Sequence, residues 1–527
     1  MASKRVRRKS KRVPGGEQRG FVFGGEVGPR PPPAPGEVRP EFLAEFHDPD
    51  PARLRIGEMP LEEYLRQHEC DWVIGLRLFV RALDLSALLK VHKGPGRKPF
   101  HPAPMLGLIL FGLIIGVDSL RGMAQLAATD VRAWWITGGL QPDFTTLCKF
   151  INARADLLSE EFFTATTRQM ITMLGVKPGP AAGDGTVIDA AASHWRTLRA
   201  EAASEAAKTA VEAAAAAPND ASLAAKADQA KRLEEVAAER MKRAKEASHS
   251  TSSVRVAPTE PDAVVQPGKS GAIRPSYKPS VLANPDRLIV GQTVIGSDEV
   301  AAIPLMLEQH RDLFGVYPTT TLLDANYHSI RMLSFFVEKD LDVLCPSGTA
   351  RGTSDFRTGS DKPLSKTNFT FDETHDRYLC PEGRPLERHS RGQETHGQEF
   401  TRYRGKLCTG CPRLAECTKS SARTIKRYDG EELKEAADQV LEHPAARDEY
   451  RRRREMVEPV FAGFKGPMQF SRFRRRGLKR VRLEFSLRCV AYNLKRALGI
   501  QRLLVAVLFV RSHQARWRPV ALIVVLT

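Results

Sequence analysis

Leu76, Phe79, Val80, Leu83 and Ala87 recur at i, i+3, i+4, i+7 and i+11, the spacing that gathers apolar side chains on one side of an α-helix. Pro102 and Pro104 precede the apolar run Met105–Val117, as suits the first turn of a helix. Asp118-Ser119 then supplies a break, and Asp143, after Pro142, is a cap for a helix through Thr145, Leu147 and Phe150. Residues 53–178 therefore read as a small helical domain. From Gly183 the pattern changes. Thr186-Val187-Ile188, Ile289-Val290 and Thr293-Val294-Ile295 are β-branched runs that predict strands. Between them the Ala/Glu/Lys-rich block Ala200–Ala247, broken at Pro218-Asn219-Asp220, predicts two long helices in an antiparallel hairpin. A Ser/Pro/Gly-rich loop over Ser248–Pro279 follows.

Further on, the pattern predicts a helix around 299–313, a strand Thr319–Leu323 ending in Asp324, a helix Ser329–Glu338 and a buried strand Leu341–Leu344. Residues 346–430 are polar and carry cysteines; helices are expected at Ala445–Lys465 and near Glu484–Leu498. Strand–strand–helix–strand–helix–strand is an α/β order. The expected organisation is a basic, Pro/Gly-rich disordered arm (1–52), a mainly α domain (53–178) and an α/β domain (179–498). The α/β domain holds a helical insertion at about 195–285 and a cysteine-bearing one at about 346–440; a tail (499–527) has no assigned role.

Charge narrows the partner. The 527 residues hold 80 Lys+Arg against 62 Asp+Glu, a net +18 that favours a polyanion, either nucleic acid or an anionic membrane surface. Met105–Val117 has only about two-thirds of the ~20 apolar residues that span a bilayer and is interrupted by Gly107, Gly112 and Gly116, so a buried core helix is expected. No apolar run follows the basic start (Lys4–Arg12), which predicts no secretory signal. Eight cysteines in so long a chain are no disulfide scaffold. A cytoplasmic, nucleoid-associated protein with reduced thiols is expected.

Candidate chemistry lies in three carboxylates. Asp184-Gly185-Thr186 stands at the edge of a first strand, and Asp324-Ala325-Asn326-Tyr327 at the carboxyl end of a later parallel strand, where α/β sheets bind ligands. Glu458 shares roughly one side of a helix with Arg454 and Lys465, at offsets of four and seven residues. Three such carboxylates can hold two divalent ions, and oxygen ligands suit Mg²⁺ or Mn²⁺. Two ions of this kind serve in-line displacement at phosphorus, while Arg454 and Lys465 hold the phosphate backbone. Asp189 competes with Asp184 for the first position but should point to the opposite side of its strand.

The order of these motifs resembles the DDE-type transposases of bacterial insertion sequences, and most nearly the insertion sequence 1182 family. The resemblance rests on Gly96-Arg97-Lys98-Pro99-Phe100-His101-Pro102, Gly116-Val117-Asp118-Ser119-Leu120-Arg121 and Pro142-Asp143-Phe144-Thr145-Thr146. It continues through Asp184-Gly185-Thr186, Pro275-Ser276-Tyr277-Lys278-Pro279, Asp324-Ala325-Asn326-Tyr327 and Arg454-x3-Glu458-x6-Lys465. Last comes Arg475-Arg476-Gly477-Leu478-Lys479-Arg480-Val481, ahead of Glu484 and Asn493. It spans roughly residues 70–498. It implies a helical amino-terminal DNA-binding domain and a ribonuclease-H-like catalytic domain with Asp184, Asp324 and Glu458 as the acidic triad. It further implies binding to terminal inverted repeats, metal-dependent cleavage at the element's ends, joining of the freed 3′-hydroxyls to target DNA, and a homodimer in the active complex. The family's tyrosine usually lies three residues before the arginine, whereas Tyr450 lies four before Arg454; Arg453 has the right offset but puts Val457 at the acidic position. A DNA-binding relic without catalysis and a metal-dependent nuclease are the alternatives.

Two further signals stand apart. Cys380, Cys408-x2-Cys411 and Cys417 can form a tetrahedral structural zinc site or remain unligated thiols, with Cys345, His389 and His396 as substitutes. The basic stretch Arg472–Arg488, including Arg472, Arg475, Arg476, Lys479 and Arg480, interleaves Phe470, Phe473 and Phe485 and is expected to track a DNA backbone.

Overall fold

Apolar helices open the described chain because nearly every turn from Leu61 to Leu174 places a side chain in a common core. In this computed structural model, residues 46–90, 98–246, 251, 254–268, 271–296, 300–349, 356–357, 364–394 and 397–514 are described. The helices are α1 (Leu61–Gln67), α2 (Trp72–Ala82), α3 (Ser86–Leu89), α4 (Pro102–Ile114), α5 (Leu120–Thr129), α6 (Val131–Thr137), α7 (Phe144–Ala153) and α8 (Glu160–Leu174). All thirteen residues of α4 are buried, which is the environment a helix apolar on every side requires. Capping follows the sequence. Asp143 Oδ1 accepts from Thr146 N at 2.6 Å, and Ser119 Oγ from Gly122 N at 3.0 Å. The expected arm lies outside the described residues up to position 45. Its last residues are placed: His47 bridges to Phe100, and Asp48 pairs with Arg81. Gly96 and Arg97 also lie outside the described residues.

The central seven-stranded sheet is built around β1 (Ala181–Gly185), β2 (Ile273–Ala283), β3 (Ile289–Ile295), β4 (Thr321–Leu322) and β5 (Val343–Leu344), in the order β5-β4-β1-β2-β3, with Ile188–Asp189 and Val264–Pro267 pairing antiparallel to the first part of β2. β4 is parallel to β1 and to β5; β2 is antiparallel to β1 and to β3. Helices α11 (Ala302–Phe314) and α12 (Ile330–Glu338) cover one face with Ala181, Leu282, Val290 and Leu323. Helices α15 (Pro444–Lys465) and α16 (Leu478–Gln514) join a larger core holding Ala182, Val281, Ile289 and Leu322. Neighbouring strand residues sort to opposite faces, as a two-residue period demands. That larger core runs unbroken into α1–α8.

Strand propensity misplaced two segments. The first strand is Ala181–Gly185, and the β-branched Thr186-Val187 lies outside it, with Ile188–Asp189 pairing separately to β2. Small residues win because the strand is crowded: a Cβ on Gly183 would lie 2.8 Å from Leu323 Cδ2 beside it and 3.1 Å from Ile303 Cδ1 on α11. The end of the expected loop Ser248–Pro279, from Ile273, is instead the first part of β2, the longest strand of the sheet, and Arg255–Val256 and Val264–Pro267 within it are short strands. Its prolines serve as acceptors, with Pro275 O taking Ala190 N at 2.8 Å and Pro279 O taking Thr186 N at 3.0 Å.

The edge strand β3 is closed by two amide side chains. Asn493 of α16 accepts from Ile289 N at 2.7 Å and donates to Ile289 O at 2.8 Å, while Gln309 of α11 does the same for Gln292 at 2.7 and 2.9 Å. Such pairing removes the exposed donors and acceptors of a free edge. Gly291 lies between, and a Cβ there would stand 2.6 Å from Met306 O on α11. Gly291→Ala should therefore push the helix off the strand and cost about 1–3 kcal/mol, read as a lower urea midpoint. An unchanged midpoint would show that the helix yields freely.

The described parts of both insertions form regular elements. Helices α9 (Ala200–Ala216) and α10 (Ala221–Glu246) pack together as a hairpin, with Ser204 Oγ on Glu234 Oε1 at 2.5 Å. The cysteine-bearing region forms an antiparallel meander of β6 (Thr370–Asp372), β7 (Arg377–Leu379), β8 (Pro385–Gln393), β9 (Glu399–Arg404) and β10 (Thr424–Tyr428). It also contains the short helix α13 (Leu414–Cys417) and α14 (Glu431–Val440), which packs on α12. The last helix extends well past Gly499, the expected start of a separate tail. No helix among the described residues is long and apolar enough to cross a membrane.

Candidate active site and basic cleft

Register alone brings two of the three candidate carboxylates together. Ala182 pairs with Leu322 across the parallel strands β1 and β4. Two residues on, Asp184 and Asp324 emerge at the same level and on the same face, towards α15. Arg453 of α15 stands between them, its Nη2 3.3 Å from Asp184 Oδ2 and 4.0 Å from Asp324 Oδ2. The arginine side chain is 10% exposed, and its Nε finds no acceptor among the described residues. Backbone donors orient both acids. Asp184 Oδ1 accepts from Gly185 N at 2.8 Å, and Asp324 Oδ1 from Asn326 N at 2.9 Å. Asp189 is engaged elsewhere, by Arg274 at 2.9 Å.

Behind Asp324, the Cys345 thiol donates to its carbonyl at 3.0 Å; burial raises that thiol well above its usual range, so it stays protonated. Burial also pushes the Tyr450 phenol up to about 12.

Helix α15 begins at Pro444, with His443 Nδ1 accepting from Ala445 N at 3.2 Å. Its buried stripe is Tyr450, Arg453, Met456, Val457, Val460, Phe461 and Phe464. Pro459 would orphan the carbonyl of Glu455, but Arg287 Nε donates to it at 3.0 Å and the helix continues. Glu458 falls outside the buried stripe, 59% exposed, with Arg454 at 3.9 Å. The structure therefore gathers Asp184, Asp324 and Arg453, and leaves Glu458 on the flank it shares with Arg454 and Lys465. Lys465 Nζ reaches Thr186 Oγ1 at 2.9 Å, beyond the end of β1. Arg453 was the residue sequence reasoning undervalued; the signal was a charge set within an apolar helical stripe.

Most of the basic stretch is anchored. Arg472 donates to Ala190 O at 2.9 Å and Ala192 O at 2.7 Å, and Arg476 to Ala191 O at 3.0 Å. Lys479 pairs with Asp156 at 2.6 Å in an exposed position. Arg475 and Arg480 line a cleft of about 550 Å³ with Arg121, Arg474 and Arg476. Phe470, Phe473 and Phe485 are core residues, with the Phe470 ring in contact with both of the others. Tyr277 is likewise buried, its hydroxyl donating to Glu260 at 2.5 Å.

Beneath the cleft, Glu484 accepts from the amides of Arg474 and Arg475, both at 2.9 Å. The fully buried Arg488 ties Glu484 (3.0 Å) to Asp118 (3.1 Å). This network joins the loop before α5 to α16, and periodicity gave no sign of it.

All eight cysteines are free thiols. Burial raises the Cys417 thiol, and Cys408, Cys380 and Cys411 stand near enough to raise it further. Cys345 is apart, beside Asp324, and His396 lies outside the described residues. Among the described residues no three His, Cys, Asp or Glu side chains form a ready metal-binding set.

Two stretches match models of known families. Residues 379–498 match a transposase DDE domain, and residues 67–153 a transposase domain (DUF772). The first contains Glu458, whereas Asp184 and Asp324 lie outside both. No curated protein and no solved structure matches the chain. Over helices α2–α7, and from β7 to α16, the chain is similar to transposases, and the two matches together support a DNA transposase of the DDE type.

Proposed function

We propose that the chain is an insertion-sequence transposase, of the insertion sequence 1182 type, which cleaves DNA at its element's terminal inverted repeats and joins the 3′-ends to target DNA. The observation that carries the reading is the pair of in-register aspartates at the ends of adjacent parallel strands, facing a cation from α15. A mixed sheet ordered β5-β4-β1-β2-β3, with only β2 antiparallel to its neighbours, supports a ribonuclease-H-like catalytic domain.

The donor set fits divalent metal. Two carboxylates already converge on one positive group, and hard oxygen donors suit Mg²⁺ or Mn²⁺. Asp184 and Asp324 would hold the ions, which when bound stabilise both the attacking and the leaving oxygen of an in-line displacement at phosphorus. Glu458 is the proposed third acid. Arg453 touches Gly183 O and Asp184 while Lys465 touches Thr186, so this part of α15 tracks the end of β1, and Glu458 lies midway. Its exposed carboxylate has to rotate inward to join. Arg454, Lys465 and the cleft arginines would bind DNA phosphates, a contact that weakens steeply with salt. Two copies are proposed to act together on the two ends.

The test incubates purified protein with Mg²⁺ and DNA carrying the native flanking ends, beside Glu458→Gln. Cleavage and joining by the wild type, both lost in the variant with DNA binding retained, are expected. Cleavage that survives in the variant would remove Glu458 from the triad. Binding without cleavage by either protein would favour a DNA-binding relic, and cleavage without joining a nuclease.

A further inference from the structure

The β6–β10 meander is stabilised by very little core. Phe369, Tyr378, Leu386, Tyr403 and Ile425 form its one core cluster, with Cys380 and Cys417 packed against them, and Phe400 is buried outside that cluster. A unit with so small a core usually needs a staple. Four cysteines are grouped at one end of it, and none is in a disulfide.

The segments bearing them are already tied to one another. Cys380 opens a turn in which Gly383 N donates to its carbonyl at 2.7 Å and Arg384 N donates to its sulfur at 3.3 Å. In a second turn, Cys411 N donates to Cys408 O at 3.0 Å. Each turn has a glycine at positive φ, Gly383 at 72° and Gly410 at 82°, where a side chain would strain the backbone. Arg413, two residues after Cys411, pairs with Glu382 of the first turn at 2.8 Å and with Glu416, beside Cys417, at 3.2 Å. Arg384 reaches across to Leu407 O at 2.6 Å.

We propose that Cys380, Cys408, Cys411 and Cys417 bind one structural zinc ion that staples the end of the β6–β10 meander. Four soft sulfur donors with no open position suit tetrahedral Zn²⁺. The N–H donated to Cys380 Sγ is the kind of outer hydrogen bond that stabilises a metal-bound thiolate. The sulfurs stand apart from closed ligation, and closing them to the about 2.3 Å of a Zn–S bond has to draw the side chains inward. Turns and the end of α13 carry all four, so the strands can stay in place. The site is separate from the aspartate pair and does not depend on the transposase reading.

The experiment measures metal in full-length protein purified without chelator, supplied with zinc and desalted. Close to one zinc per chain is expected, retained in Asp184→Asn and lost in Cys408→Ser and Cys411→Ser. Because a cysteine variant can misfold, thiol reactivity of the wild type gives a second reading. Beyond the buried Cys345 and Cys489, four thiols should resist a disulfide reagent until a strong chelator is added. Cobalt in place of zinc should give the intense visible bands of a tetrahedral thiolate complex. Background metal after zinc supplementation, or thiols that react identically with and without zinc, would overturn the proposal. Zinc that disappears with Asp184→Asn would place the ion at the aspartate pair and equally overturn it.

Discussion

Asp184→Asn and Asp324→Asn are each expected to lower metal-dependent cleavage and joining by about 10³-fold or more, while DNA affinity stays near that of the wild type. The exchange keeps the shape of the side chain and its hydrogen bonds to Gly185 N or Asn326 N but removes the charge. Bound metal is worth several kcal/mol at the transition state, and each 1.4 kcal/mol is about tenfold in rate. Affinity should hold because neither acid lies in the basic cleft or among the exposed cations that would contact phosphate. The decisive comparison is single-turnover cleavage beside a binding isotherm at fixed salt. A variant that cleaves within tenfold of the wild type would remove that aspartate from the chemistry. Equal loss of binding and cleavage would point instead to a folding role through Arg453.

Arg488→Met is expected to destabilise the protein by about 3–5 kcal/mol, the largest stability effect among the substitutions considered. Arg488 is fully buried, holds Asp118 and Glu484 at 3.1 and 3.0 Å, and lies 4.1 Å from the centre of the Phe470 ring. Removing it leaves two half-compensated carboxylates in an interior that cannot solvate them. Glu484 also holds the amides of Arg474 and Arg475, so the basic cleft should loosen as well, and DNA binding should weaken. A lower urea midpoint with an unchanged slope is the expected reading. The triple variant Asp118→Asn, Glu484→Gln, Arg488→Met should recover part of the loss, because no unpaired charge then remains. A cost under about 1 kcal/mol for Arg488→Met would show that Asp118 and Glu484 find other partners and that their ion pairs with Arg488 do not hold the fold.

Local periodicity and capping settled much of the architecture unaided. The helical spacing over Leu76–Val80, the break at Asp118-Ser119, the cap at Asp143, the break at Pro218-Asn219-Asp220 and a helix ending at Lys465 all follow from interactions within a turn or two of chain, whereas the expected stripe through Leu83 to Ala87 is cut where α2 ends at Ala82. The placement of Asp324 just after a strand was legible too, because α/β order and a carboxylate after a strand are visible in one dimension; Asp184 was expected ahead of a strand at Thr186-Val187-Ile188, whereas its strand is Ala181–Gly185.

What local rules missed depends on partners distant in the chain. Ala181–Gly185 is a strand of small residues because Leu323 and Ile303 crowd it, and Ile273–Ala283 is a strand despite two prolines because neighbours use their carbonyls. Tertiary packing chose which side of α15 is buried, taking Arg453 inward to the aspartates and leaving Glu458 outside. It also set Arg488 beneath the basic cleft, 370 residues from Asp118. A buried charge is tolerable only where opposite charges meet it, and those meetings are made by the fold, since no spacing along the chain encodes them.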